Sequence, residues 1–140
     1  DKDTSRGLGD VYKRQRDFGV AFRVQSWSSG GSYFGSGYLC RVNTRSSSSA
    51  YMDILYVAGG DVDVEATSGT FSFSADAFNY VKATAVGSSL TCAAYSADGA
   101  TLLASTSWTD STYSYGGVGT WNVRDDKGSH YVQYLTVESL

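Results

Sequence analysis

Phe18-Gly-Val-Ala-Phe-Arg-Val-Gln-Ser26, followed after a serine- and glycine-rich interval by Gly37-Tyr-Leu-Cys-Arg-Val-Asn43, decides the fold of this chain. Apolar and polar residues alternate with period two, the pattern of a strand with one face buried. That parity puts Val20, Phe22 and Val24 on one face of the first segment, and Tyr38, Cys40 and Val42 together in the second. The pattern then recurs along the chain. Ala50 to Val57 alternates less cleanly, and Asp61-Val-Asp-Val-Glu65, Thr70-Phe-Ser-Phe-Ser74, Phe78 to Val86 and Ser89 to Tyr95 follow. Leu102 to Trp108, Gly117-Val-Gly-Thr-Trp-Asn-Val123 and Tyr131-Val-Gln-Tyr-Leu-Thr-Val137 complete the set.

About ten short strands with no convincing helix predict an all-β, two-sheet antiparallel sandwich or jelly roll. Gly59-Gly60, Gly87-Ser88, Asp98-Gly99 and Lys127-Gly128 supply the positive φ that tight hairpin turns require. No fixed-period repeat appears, which argues against a propeller or β-helix. The serine runs at 26–32 and 46–49 read as loops between strands.

The 140 residues make one domain by length, enough to bury a core. Residues 10–15, Asp-Val-Tyr-Lys-Arg-Gln, look like the in-frame translation of a transposase end sequence used to prepare sequencing libraries. Residues 1–15 are accordingly read as a non-native or disordered tail, and 16–140 as a single β-sandwich domain. Proline is absent, and 18% of the residues are charged, with a net charge of −3. Scattered basic residues in an acidic chain argue against a nucleic-acid partner, which would need a clustered basic face. No apolar run is long enough to cross a membrane as a helix.

An ordered set of motifs resembles the concanavalin A-like, laminin G-like jelly-roll superfamily. Gly37-Tyr-Leu-Cys-Arg-Val followed by Tyr51 is similar to its "Gly-x-x-x-Arg-hydrophobic … Tyr" strand pair. Thr70-Phe-Ser-Phe-Ser-Ala-Asp followed by Phe78-x-Tyr-Val-Lys resembles its aromatic and alternating apolar-basic strand. Thr109 to Gly119 resembles its late "Asp-x-x-Tyr … Gly-x-Val-Gly" entry, and residues 131–137 its closing strand. Together these span residues 18–140. Many relatives carry an acidic pair where this chain has Gln133 and Tyr134, which weakens any metal or ligand role carried over to that strand.

The superfamily holds carbohydrate-binding modules, adhesion domains, glucanases and lectins on one scaffold, so the fold does not choose among them. Its hydrolases commonly carry Glu-x-Asp-x-x-Glu, which has no match here. Asp61, Asp63 and Glu65 lie on one strand face with about 7 Å between neighbours, within the ~5–9.5 Å that glycosidase carboxylates span. Against a catalytic role, alternation with Val62 and Val64 is the pattern of an ordinary exposed face. Calcium held by Asp61 and Asp63 is the other reading of these acids, since calcium takes oxygen ligands in loose geometry. His130 sits in a turn with no nucleophile elbow in the chain, so it reads as solvated. Gly116-Gly-Val-Gly119 is a strand entry, not a phosphate loop, because no helix follows it.

Tyrosine and tryptophan on a sheet face offer flat platforms with a polar edge, matching the apolar faces and hydroxyls of sugars. The family pattern places Val118 on the core face and Trp121 opposite. Parity puts Arg41 opposite Tyr38, and Tyr51 with Asp53 and Leu55. The expected ligand-contact residues are therefore Arg41, Tyr51, Asp53 and Trp121, flanked by the loop residues Trp27, Tyr33, Tyr113 and Tyr115. Tyrosine is also a good strand former, so core packing competes with ligand contact at each position. Cys40 and Cys92 fall on apolar strand faces and read either as inert thiols or as a disulfide, which in the chain-entropy model adds roughly 4 kcal/mol. The resulting expectation is a non-catalytic, lectin-like carbohydrate-binding module, partnered by a polysaccharide and by neighbouring domains of a larger parent protein. Its surface, poor in lysine and rich in Ser, Thr, Tyr and Gly, fits an extracellular or cell-surface bacterial protein. A structural or adhesion domain without a sugar site is the alternative, and a small glycoside hydrolase a third.

Overall fold

Alternation becomes hydrogen-bonded ladder in the computed structural model, which describes residues 17–28, 33–46, 48–72, 80–122 and 135–138. The described strands are β1 (Phe18–Ser26), β2 (Ser36–Thr44), β3 (Ser49–Ala58), β4 (Asp61–Thr67), β5 (Phe71–Ser72), β6 (Tyr80–Val86), β7 (Ser89–Tyr95), β8 (Leu102–Thr109) and β9 (Gly117–Asn122). Among the described residues there is no helix long and apolar enough to cross a membrane. The expected tail at 1–15 lies outside the described residues, as does Lys127-Gly128. Of the expected closing strand, residues 131–134 also lie outside them, and Leu135–Val137 are not in a strand.

The strands form two antiparallel sheets. One has the order β9-β1-β2-β3-β4, with β5 pairing the start of β3, and the other is β6-β7-β8. β1–β2, β2–β3, β3–β4, β6–β7 and β7–β8 pair in chain order, and β9 returns from later in the chain to pair with β1. The β3–β4 turn is Gly59-Gly60, with φ of 62° and 86°, left-handed backbone that side chains with a Cβ resist. β4 and β5 run along one side of β3, interrupted by residues 68–70.

Phe22, Tyr38, Cys40, Val42, Met52 and Ile54 from the large sheet meet Leu90, Cys92 and Ala94 from the small one in a shared buried cluster. This apolar layer between two sheets is the architecture of a β-sandwich. The Cys40–Cys92 pair is a disulfide, with Cα atoms 5.3 Å apart, which ties β2 to β7 across the core. Of the two cysteine readings open from the sequence, the structure takes the bridge. At one end of the core Tyr38, Tyr56, Trp108 and Tyr113 pack ring against ring, with centroids 5.2–6.3 Å apart. The Tyr38 hydroxyl donates to Asp110 Oδ2 at 2.5 Å and accepts from the Tyr113 backbone N–H at 3.1 Å, pinning the β8–β9 loop to β2.

Two parity expectations are corrected. Val24 does not share a face with Val20 and Phe22, because Arg23 adopts φ 49° at an irregularity in the β1–β2 register and turns the rest of β1 over. Val24 joins Ala21, Leu39, Leu55 and Val57 in a second cluster, on the outer face of the large sheet. The Arg23 guanidinium donates to the carbonyls of Gly87 and Tyr113, so the irregular residue closes the end of the sandwich. Val118 has the parity opposite to Trp121 but is 38% exposed and joins neither cluster, since β9 is an edge strand among the described residues.

Candidate functional site

The outer face of the large sheet is ordered by cross-strand register. Trp121 lies opposite Gly19, Gly19 opposite Arg41, Arg41 opposite Asp53, and Asp53 opposite Thr67. The row beside it runs Gly119, Ala21, Leu39, Leu55 and Val64. Asn43 and Tyr51 pair on the other side. Four of the residues expected from parity, Arg41, Tyr51, Asp53 and Trp121, thus share this face.

Gly19 explains how the row is filled. A Cβ there would lie 1.9 Å from the Cys40 carbonyl oxygen, so β1 and β2 approach more closely than any other residue allows. The missing side chain leaves a gap between Trp121 and Arg41, and Tyr33 bridges it. Its ring stacks on Trp121 with centroids 5.2 Å apart and planes within 9°. Its hydroxyl accepts from Arg41 Nη1 at 3.3 Å.

Arg41 and Asp53 serve the fold from within. Asp53 is 1% exposed and accepts from Arg41 Nη2 at 2.5 Å, Asn43 Nδ2 at 3.1 Å and Thr67 Oγ1 at 3.0 Å. Burial would lower the Arg41 pKa, but the hydrogen bond and charge of Asp53, then the charge of Asp17 at 3.8 Å, outweigh it and hold the guanidinium more firmly protonated. Burial raises the Asp17 pKa, opposed by hydrogen bonds from Thr44 and by Arg41. Arg41 Nε is buried without a partner among the described residues. The pair is a cross-strand clamp that is tied to Tyr33 through Arg41 Nη1.

The aromatic residues form the accessible part. Trp27 lies over β9, where a Cβ on Gly119 would come within 2.7 Å of the indole and one on Gly117 within 3.3 Å. Phe34 supports Trp27 from the side, with ring centroids 5.9 Å apart, yet Trp27 remains 53% exposed. Tyr115 is 74% exposed at the entry to β9, its carbonyl accepting from the Gln25 side-chain amide. Tyr51 lies under the Arg45 guanidinium, 5.3 Å from its ring centroid. Tyr113 is elsewhere: it packs between the sheets and donates its hydroxyl to the Val57 carbonyl at 2.9 Å.

Residues that sequence reasoning missed are Gly19, Gly117 and Gly119, Asn43, Thr67 and the buried Phe34. A signal existed for the glycines, because Gly117-x-Gly119-x-Trp121 puts two side-chain-free positions and an indole on one strand face. Asp61, Asp63 and Glu65 are exposed on β4, and Glu65 falls where the register shifts, so the three acids do not form one continuous face. Among the described residues no three His, Cys, Asp or Glu side chains gather as a metal site.

Against known proteins, the chain matches no family model, no curated protein and no solved structure.

Proposed function

We propose that this domain is a non-catalytic carbohydrate-binding module of concanavalin A-like jelly-roll fold, carried by a secreted glycan-degrading or adhesive protein. The observation that carries the reading is the aromatic ledge on the outer face of β9. Trp27 keeps about half its surface in water although its ring is seated on the glycine backbone, and Trp121 is braced by Tyr33. Exposed aromatic rings cost solvation unless a partner covers them, and rings held flat and rigid suit the apolar faces of sugars. Hydroxyls at the ledge edge, from Tyr33 and Tyr115, supply polar contacts to the ligand. Arg41 and Asp53 then act as supports that fix Tyr33, in place of the direct sugar contacts expected from sequence.

Retention of the full chain on a panel of insoluble and immobilised polysaccharides, with calcium and with EDTA, tests the proposal. Binding that falls in both Trp27→Ala and Trp121→Ala supports it. No retention under either condition overturns it in favour of a structural or adhesion domain. Release of reducing ends that is lost in Asp61→Ala or Asp63→Ala overturns it in favour of a hydrolase.

A further inference from the structure

The aromatic surfaces follow the direction of β9. Trp27 covers Gly117 and Gly119, and Trp121, half-buried against the second cluster, follows two residues further on with Tyr33 stacked against it. Tyr115 stands at the entry of the same strand. From Gly117 to Trp121 the strand advances about 13 Å, so the rings form an elongated track rather than one point of contact. The Arg41 guanidinium beside Tyr33 is engaged by the protein's own acids: it bonds Asp53 at 2.5 Å and lies 3.8 Å from Asp17. An anionic ligand would find the Arg41 charge spent within the protein, and desolvating the anion would go uncompensated.

From this we infer that the ledge takes an internal stretch of a linear, uncharged polysaccharide, with successive sugar rings on Trp27 and on the Trp121–Tyr33 pair. The inference rests on the glycan-binding reading and narrows it to a ligand class. A ligand lying along the track gains contact with each added sugar until the rings are covered, and needs no chain end. Its affinity is indifferent to salt, because a neutral ligand brings no charge to be screened.

Titration of the full chain with cello-, xylo- and laminari-oligosaccharides of increasing length tests this, with polygalacturonate and dextran sulfate as charged probes. At least one neutral series is expected to bind with affinity that climbs with length and then levels off, unchanged by added sodium chloride. Trp27→Ala should weaken the longer members about tenfold, the order expected for one lost ring contact, and Trp27→Phe should recover part of the loss. Equal affinity for monosaccharide and oligosaccharide, or salt-sensitive preference for the charged polymers, overturns the inference and leaves glycan binding standing. Failure to bind any glycan, neutral or charged, overturns both.

Discussion

Asp53 shows how a residue read from sequence as a ligand contact becomes, in three dimensions, part of the frame. Its parity was legible, and so was its place on the face of Arg41, because both follow from the period of two. Its burial was not, since Arg41 and Asn43 of β2 and Thr67 of β4 converge on its carboxylate from the strands on either side. Asp53→Ala leaves the buried Arg41 charge with only Asp17, 3.8 Å away, as counter-ion and is expected to cost about 3 kcal/mol in denaturant unfolding. Arg41→Lys should recover only part of an Arg41→Ala loss, because an ammonium lacks the planar fork that reaches Asp53 and Tyr33 together. Gly19→Ala forces a Cβ onto the Cys40 carbonyl and should destabilise by about 3 kcal/mol or prevent folding. Tyr38 is the residue for pH. Burial, then its hydrogen bond to Asp110, pushes its pKa from 10.0 up to about 12. The folded state holds that proton more tightly than the unfolded chain, so the contribution is complete below pH 10 and is lost as the pH rises to about 12. Stability measured across that window should fall, and Tyr38→Phe should flatten the fall. Asp110 runs the other way. Burial raises its pKa, but hydrogen bonds from Tyr38 and Thr112 outweigh that and lower it, so its contribution is full above the ordinary carboxylate range and lost on acidification.

At the scale of strands, most boundaries could be read from alternation and turn glycines, because each strand buries one face and each hairpin needs a positive φ. Where the period breaks, reading from sequence alone failed for physical reasons. The φ of 49° at Arg23 sends Val24 to the opposite face, and no local feature of Phe-Arg-Val announces it. The register shift on β4 likewise separates Glu65 from Asp61 and Asp63. Those acids have a simpler use, since β4 is an outer strand of its sheet and charge on an edge discourages pairing with another chain. Replacing Asp61 and Asp63 by threonine should leave the fold intact and raise aggregation, followed by light scattering on concentration. The Cys40–Cys92 bridge links strands of different sheets across a sequence separation of 52. Removing it in a Cys40→Ala, Cys92→Ala variant should cost roughly 4 kcal/mol, read from the denaturant midpoint.

Across the whole molecule, the two sheets bury an apolar cluster between them, while the large sheet keeps a second apolar cluster on its outer side. A sandwich can leave that outer side polar, as most antiparallel sheets do. Here it carries Leu39, Leu55 and Val57 beneath Phe34 and Tyr33, and this packed layer gives the aromatic ledge a rigid base. The sequence pointed to the face through parity and to the ring types through composition. It could not show that the accessible rings gather along β9 while Tyr113 turns inward, because that depends on where the loops fold back. The central claim is that this ledge binds glycans, and a glycan array probed with the full chain beside Trp121→Ala tests it most directly. Binding of the native chain to one or more neutral polysaccharides, lost or much reduced in the variant at unchanged thermal stability, is the predicted result. Equal signals from the two proteins, or no signal on any glycan with calcium and with EDTA, would contradict it.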